Sequence, residues 1–148
     1  WRYKALFLEQ YGNETAFLFE RDGSVLAVAR GGNGRPAQVC RSKPPYSQWS
    51  RIDLDRNIGG PLLAKWGDRY LVGGRKYRPE QSAVTAVYWL VRDRLEEIAE
   101  LPSGGDTSYP GFVEMTESEG LLSYYSSHEG SGSGLAPSAI YLARLRLL

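Results

Sequence analysis

The sequence is poor in cysteine, histidine and surplus charge, and each shortage excludes a class of function. Cys40 is the only cysteine among 148 residues, so neither an intrachain disulfide nor a cysteine-based zinc site can form. His128 is the only histidine, which excludes any mechanism that needs two within one chain. Lys and Arg number 18 against 17 Asp and Glu, a balance that argues against a general nucleic-acid binder. We expect no metal, no other cofactor and no nucleic-acid partner.

Long apolar runs are also missing. No apolar stretch approaches the roughly 20 residues that span a bilayer, so we expect no membrane partner. By contrast, 42% of the chain is hydrophobic, which is enough for a packed core, and Tyr, Trp and Gly are plentiful. Aromatic and β-branched runs interrupted by Gly, Pro and Asp are typical of many short strands. The composition therefore favours an all-β fold.

A strand–turn–strand pattern occurs three times along the chain. In residues 16–30, two apolar runs flank Asp22-Gly23, a strong hairpin signal because glycine adopts the positive φ of a tight turn. The pattern recurs in residues 62–75, and more loosely in residues 112–125, where we expect a longer turn that ends in Gly120. Further apolar stretches follow each hairpin, which predicts about four strands in every unit.

Units of 40–50 residues with four strands each are typical of β-propeller blades. We predict one propeller-type domain, 1–148, with four-stranded antiparallel blades at about 14–54, 60–101 and 106–148. The third unit has three strands of its own, so we expect residues 3–8 to supply a closing outer strand. The alternative is a simple meander in a sandwich or barrel.

The structure of residues 92–100 and the closure of the ring each allow two interpretations. Residues 92–100 contain good helix formers at helical spacing, but their place in the repeat predicts an outer strand. Three blades do not close a ring, since propellers have four to eight. We therefore expect half of a six-bladed propeller, completed either by a second copy in a homodimer or by the missing half of a longer chain.

Propeller geometry brings certain loops to one face of the ring. The loop that enters the first strand of each blade and the loop that leaves the second strand open on the same side. Candidate catalytic residues at these positions are Glu14, Asp106, Tyr109 and Tyr125, and candidate substrate-binding residues are Arg30, Arg75, His128 and Glu129.

These residue types suit the recognition and chemistry of an anionic ligand. Two arginines on one rim form a receptor for a carboxylate or another planar anion. Carboxylates act as acid, base or charge partner, and a tyrosine becomes a nucleophile when a carboxylate takes its proton. The alternative is structural: the arginines pair with the same carboxylates, the tyrosines pack, and His128 makes a supporting hydrogen bond.

At these residues the sequence resembles the sialidase-like, BNR-repeat (Asp-box) propeller family. The resemblance covers nearly the whole chain. Residues 42–49 keep the Ser and Trp of the Asp-box turn S-x-D-x-G-x-x-W, but Pro44 and Tyr46 stand where Asp and Gly belong. The other matching segments are ETAFLFERDGSVLAVAR (14–30), GGPLL (59–63), LPSGGDTSYPG (101–111), SYYSSHEG (123–130) and IYLA (140–143).

The resemblance implies a glycan-directed site on the propeller axis. Sialidases use an arginine triad for the sialic-acid carboxylate, a Tyr–Glu nucleophile pair and an Asp acid/base, an exception to the two-carboxylate scheme of most glycosidases. Arg30 and Arg75 resemble two members of the anion clamp, and Glu14 resembles the axial acidic residue, with Tyr109 or Tyr125 beside it. The chain resembles the C-terminal half of such a protein, so the third arginine is not matched.

Three functional hypotheses remain open at this point. The first is a glycoside hydrolase of the exo-sialidase type, which acts on a glycan through the axial Glu, Asp and Tyr set. The second is a non-catalytic propeller that binds a glycan or a small anion, and the third is a scaffold for partner proteins. The sequence makes no prediction about the cellular compartment.

Overall fold

The computed structural model describes residues 12–80, 82–129 and 137–147. Within this part of the chain there are β-strands and no helix. The strands are β1 (Gly12–Phe19), β2 (Val25–Gly31), β3 (Gln38–Ser42), β4 (Ser50–Asp53), β5 (Gly59–Trp66), β6 (Arg69–Tyr77), β7 (Ala83–Val91), β8 (Arg94–Glu100), β9 (Thr107–Thr116), β10 (Glu119–Ser126) and β11 (Ala139–Arg146).

The strands form three antiparallel sheets, each a meander in chain order. The orders are β1-β2-β3-β4, β5-β6-β7-β8 and β9-β10-β11. The first strands lie together, since β5 contacts both β1 and β9. The sheets therefore radiate from their first strands as propeller blades do, which confirms the predicted all-β blade architecture. The closing strand expected at 3–8 lies outside the described residues.

The predicted hairpin turns are confirmed in the first two blades. Phe19 pairs with Val25 across the first turn, where Gly23 adopts a φ of +80°. In the second blade Trp66 pairs with Arg69, so Gly67-Asp68 forms the two-residue turn. Glycine at these turns matches the backbone twist of the flanking strands.

The expectation of a longer third turn that ends in Gly120 is wrong. Thr116 pairs with Glu119, so the turn has only two residues, 117 and 118. Gly120 belongs to β10, where a Cβ atom would lie 2.2 Å from the ring of Phe112. Close packing of this ring on the strand explains the glycine, because no side chain fits there.

The segment with helix-forming composition is a strand, as its place in the repeat predicted. Residues 94–100 form β8, which pairs with β7 from Val91↔Arg94 onward. Leu95 is buried in the core between the first two blades. Burial and strand pairing outweigh an intrinsic helical preference of a few tenths of a kcal/mol per residue.

The hydrophobic core lies between the blades. One apolar cluster joins the first and second blades around Val28, Ile58 and Tyr88, and another joins the second and third around Trp66 and Leu122. The middle blade is covered on both faces, which explains why β7 is almost entirely buried. The described chain contains no helix long and apolar enough to cross a membrane.

The two outer blades leave large apolar side chains exposed. Phe17 and Phe19 of β1 are 46% and 64% exposed, and Ile140 and Leu142 of β11 are 75% and 69% exposed. Val113 of β9 is exposed on the third blade as well. These exposed side chains lie on the first and third blades, on either side of the covered middle blade.

Candidate functional site

The first strands of all three blades carry a β-bulge at the same position. In each bulge two residues of the first strand face one residue of the second, and this extra residue redirects a side chain or a backbone group. The opposed residues are 13–14 and Arg30 in the first blade, 60–61 and Gly74 in the second, and 109–110 and Tyr124 in the third.

The three bulges meet at the carboxylate of Glu14. Its Oε2 accepts hydrogen bonds from Arg30 Nη1 at 3.0 Å and from the Gly60 amide at 2.8 Å. Its Oε1 accepts a hydrogen bond from the Tyr109 hydroxyl. One carboxylate therefore joins all three blades, and it brings together residues 46 and 95 positions away in the chain.

The environment of Glu14 favours its charged form. Partial burial raises the pKa of this carboxyl, but the hydrogen bonds from Tyr109, Gly60 and Arg30 outweigh burial, and the pKa lies below its ordinary value. The hydrogen bond to the carboxylate, followed by burial, raises the pKa of Tyr109. The resting pair is therefore a neutral phenol that donates to a carboxylate anion.

Glycine at position 60 is required for this contact. Gly60 has a φ of +53°, and a Cβ atom there would lie 2.3 Å from Ser108 Oγ. Ser108 in turn donates a hydrogen bond to the Gly59 carbonyl, which holds the first strands of the second and third blades together. Sequence reasoning missed the Gly60 amide as a ligand of Glu14. The available signal was the pair of glycines, Gly59 and Gly60, with which the strand begins.

Arg75 is the centre of a second group of hydrogen bonds. Its Nε donates to the Thr107 carbonyl at 2.7 Å, and its Nη2 donates to Asp106 Oδ1 at 2.6 Å and to the Tyr125 hydroxyl at 3.0 Å. Tyr125 also donates to Asp106 Oδ1 at 2.7 Å. Burial, together with this bond to Asp106, raises the pKa of Tyr125.

A contact between two tyrosine rings joins the hydrogen-bonded group around Glu14 to the group around Arg75. The rings of Tyr109 and Tyr125 stack with centroids 6.0 Å apart and an interplanar angle of 23°. Tyr109 has a φ of +48°, uncommon for a residue with a side chain, and its side chain is exposed on the rim. Six of the eight predicted residues thus form one cluster: Glu14, Arg30, Arg75, Asp106, Tyr109 and Tyr125.

The side chains of Arg30 and Arg75 lie on either side of Gly59. The Nε of Arg30 is buried and has no hydrogen-bond partner in the described part of the chain. Gly59 separates the two side chains, because a Cβ atom on it would lie 3.2 Å from Arg75 Cβ and 3.9 Å from Arg30 Nε. Both guanidinium groups therefore flank the same glycine.

His128 and Glu129 lie apart from this cluster in their contacts. His128 Nδ1 is 2.8 Å from Ser126 Oγ, and its ring packs 4.8 Å from the ring of Tyr141 on β11. His128 Nε2 is 3.9 Å from Glu129 Oε1. These contacts fit the structural reading of His128, and a role in substrate binding remains a prediction.

Tyr77 is a candidate binding residue that sequence reasoning missed. It is 53% exposed at the end of β6, and it lines two crevices of about 530 and 340 Å³. The larger crevice also contains Arg30 and the smaller one Arg75. The available signal was its spacing: residues two apart on a strand share a face, so Tyr77 lies beside Arg75.

Two other kinds of site, a reactive cysteine and a metal centre, are not supported by the described residues. Burial raises the pKa of the Cys40 thiol to about 11, which suits a packed rather than a reactive cysteine. Among the described residues, no group of three or more His, Cys, Asp and Glu side chains is arranged to hold a metal.

Comparison with known proteins identifies the fold. No family model matches the sequence, and no curated protein matches it. Solved structures resemble it, among them an α-L-arabinofuranosidase from Fusarium graminearum in complex with an iminosugar inhibitor (14% identity, 95% of this chain, 46% of that chain, TM-score 0.68). A thermostable family-43 glycoside hydrolase is 12% identical, with 90% of this chain and 48% of that chain covered and a TM-score of 0.67. A Penicillium chrysogenum α-L-arabinanase complexed with arabinobiose is 14% identical, with 95% of this chain and 47% of that chain covered and a TM-score of 0.68.

At these identities the likeness establishes the fold alone. The chain shares the blade architecture of propeller glycoside hydrolases, and it spans about half the length of the structures it matches. These three structures are an arabinofuranosidase, a family-43 glycoside hydrolase and an arabinanase, and none of them is a sialidase. What the comparisons establish is therefore a propeller-type chain related in fold to glycoside hydrolases.

Proposed function

We propose that this chain carries the nucleophile and part of the anion clamp of a sialidase-like propeller glycoside hydrolase. The observation that supports this proposal best is the hydrogen bond from the Tyr109 hydroxyl to Glu14. A phenol is a weak nucleophile at its ordinary pKa, and an adjacent carboxylate activates it by accepting its proton. This is the Tyr–Glu pairing that the family resemblance implies.

The hydrogen-bond pattern favours Tyr109 over Tyr125 as the nucleophile. The Tyr125 hydroxyl is held between Arg75 and Asp106, whereas Tyr109 donates to Glu14 alone. Tyr109 is also 56% exposed, so the residue is accessible from solvent. Tyr125 then acts as a positioning residue that stacks on the nucleophile.

The proposed reaction has two displacements at the anomeric carbon. Tyr109 Oη bonds to this carbon as the glycosidic C–O bond breaks, the phenolic proton passes to Glu14, and a general acid protonates the departing oxygen. Water then displaces the tyrosine and gives one proton back to the general acid, while the tyrosine recovers its proton from Glu14. None of the six clustered residues is assigned as the general acid, because Asp106 accepts hydrogen bonds from both Arg75 and Tyr125.

Arg30 and Arg75 suit a sugar that bears a carboxylate. The Arg30 side chain is 28% exposed and donates to Glu14 through Nη1, and a further charge-assisted hydrogen bond to a ligand carboxylate would contribute about 1.5–3 kcal/mol. Arg75 is only 17% exposed, while its partner Asp106 is 65% exposed and can give way to a ligand carboxylate. The proposed substrate is therefore an acidic glycan such as a sialoside.

Turnover of aryl glycosides tests the proposal. We expect hydrolysis of an aryl sialoside, with little turnover of neutral aryl glycosides, and loss of activity in Glu14→Gln. Glu117→Gln is the matched control, since Glu117 lies in an exposed turn outside the cluster. Absence of turnover across acidic and neutral glycosides, or equal activity in both variants, would contradict the proposed reaction.

A non-catalytic glycan-binding propeller is the second candidate. It is favoured by the extensive pairing of Arg75, which holds a clamp in place without requiring chemistry. Binding to acidic glycans on an array without hydrolysis, lost in Arg75→Ala, would identify this function. A scaffold role, the remaining alternative, predicts no glycan binding at all.

The rest of the ring is proposed to come from a second copy in a homodimer or from the missing half of a longer propeller. The exposed apolar side chains on the two outer blades support this, since they need cover. The half-length match to known propellers gives the same indication. Light scattering discriminates the two: twice the chain mass supports the homodimer, and the mass of a single chain supports the longer protein.

A further inference from the structure

A second cleft lies at the opposite end of the first blade from the axial cluster. It has a volume of about 690 Å³ and opens between the β1–β2 turn and the β3–β4 loop, with Tyr70 of β6 on one side. Glu20 lines this cleft, six residues along the chain from Glu14, and a strand advances about 3.3 Å per residue. The two carboxylates are therefore about 20 Å apart and belong to separate sites.

The wall of the cleft is the degenerate Asp-box segment, residues 42–49. Ser42 Oγ donates to the Gln48 carbonyl at 2.5 Å, and the Tyr46 hydroxyl donates to the Gly23 carbonyl at 3.0 Å. Pro44 packs against the hairpin turn, 3.2 Å from the position of a Cβ atom on Gly23. These contacts anchor the β3–β4 loop to β3 and to the β1–β2 turn. The cleft is therefore preformed, as ligand sites usually are.

Two of the three charged side chains that line the cleft, Glu20 and Arg41, are already paired within the protein, whereas Lys43 is exposed on the loop. Glu20 accepts hydrogen bonds from the Tyr70 hydroxyl at 2.7 Å and from Lys65 Nζ at 2.6 Å. Arg41 forms an ion pair with Asp93 of the β7–β8 turn. A ligand charge directed at Glu20 or Arg41 would have to break these pairs, whereas a neutral ligand leaves them intact.

The remaining lining offers flat apolar surface beside small polar groups. The apolar contribution comes from Pro44, Pro45 and Trp49, which suit the C–H faces of a pyranose or furanose ring. Ser47 and the Gln48 amide are exposed on the same loop and can exchange hydrogen bonds with ring hydroxyls. We infer that this cleft binds a neutral sugar unit, in a site separate from the anion-binding rim.

Ligand-observed NMR with neutral disaccharides tests the inference. Lactose, cellobiose and arabinobiose are the probes, read by saturation transfer to the sugar and by the shift of the Trp49 indole N–H. Ser47→Trp places a bulky ring in the cleft without removing an identified contact, and Gln48→Ala removes one polar group. Arg75→Ala, at the rim, is the matched control.

The inference predicts saturation transfer to at least one of the sugar probes. The dissociation constant of that sugar should be about tenfold larger for Ser47→Trp and unchanged for Arg75→Ala. Should Ser47→Trp fail to fold, a severalfold weakening in Gln48→Ala carries the same meaning. Transfer from none of the probes, or binding that Arg75→Ala abolishes and the cleft variants preserve, would overturn it. Because the rim is tested with a sialoside and the cleft with neutral sugars, failure of one does not imply failure of the other.

Discussion

The two halves of the axial cluster contain the same residue types but use their hydrogen-bonding capacity differently. In one half Glu14 holds Tyr109 and Arg30, and the arginine keeps a buried Nε without a partner in the described chain. In the other half Arg75 bonds a backbone carbonyl, a carboxylate and a phenol at once. Arg30 therefore has one protein partner for its guanidinium among the contacts described, whereas Arg75 mainly holds its three partners in position.

The largest expected effect separates the two tyrosines. Tyr109→Phe removes the proposed nucleophile and should lower kcat for an aryl sialoside by roughly 10³-fold or more, whereas Tyr125→Phe should cost about tenfold. Steady-state kinetics on both variants measure the difference, with circular dichroism to verify folding. Equal losses would show that the two halves do not differ in role.

Gly60 tests the backbone that joins the halves. Gly60→Ala combines a left-handed φ with a clash at Ser108 and should lower the free energy of unfolding by about 3 kcal/mol. Gly67→Ala is the matched control: its φ of +59° is similar, but no atom lies within 4 Å of the added Cβ. This control should lose only about 1 kcal/mol. Similar losses in urea denaturation of the two variants would show that packing at Ser108 is unimportant.

Replacing Arg30 or Arg75 by alanine is expected to weaken ligand binding equally but to lower the thermal stability differently. Each of Arg30→Ala and Arg75→Ala removes a charge-assisted contact to a ligand carboxylate, worth about 2 kcal/mol or roughly thirtyfold in affinity. Arg75→Ala should also lower Tm, because it removes the hydrogen bond to the Thr107 carbonyl and the ion pair with Asp106. Calorimetric titration with sialyllactose and thermal unfolding measure the two effects. A larger Tm loss in Arg30→Ala would reverse the comparison.

The smallest expected effect is on the pH dependence of stability. The folded pKa of Glu14 lies below its unfolded value, so this carboxylate stabilises the fold above about pH 4.5. That contribution is lost as the pH falls through the folded pKa. Glu14→Gln should therefore lose less stability than the wild type between pH 7 and acid conditions, by about 1 kcal/mol or less. Thermal melts at several pH values check this, with Glu117→Gln as the control for net charge.

The sequence alone determined the strands and where their ends meet. Asp-Gly and Gly-Asp turns between apolar runs act over a few residues, so the hairpins and the three-unit repeat could be predicted, and with them the rim position of Glu14, Arg30 and Tyr109. The error at Gly120 arose because a glycine required by the ring of Phe112 was interpreted as a turn residue.

Only the tertiary structure decided which of these residues bond to one another. The bond from the Gly60 amide to Glu14, the pairing of Tyr109 rather than Tyr125 with Glu14, and the position of Tyr70 beside the cleft all depend on how neighbouring blades pack. Such contacts join residues dozens of positions apart, and local propensity and periodicity carry no information about them. Packing between sheets converts a list of residues at strand ends into a site.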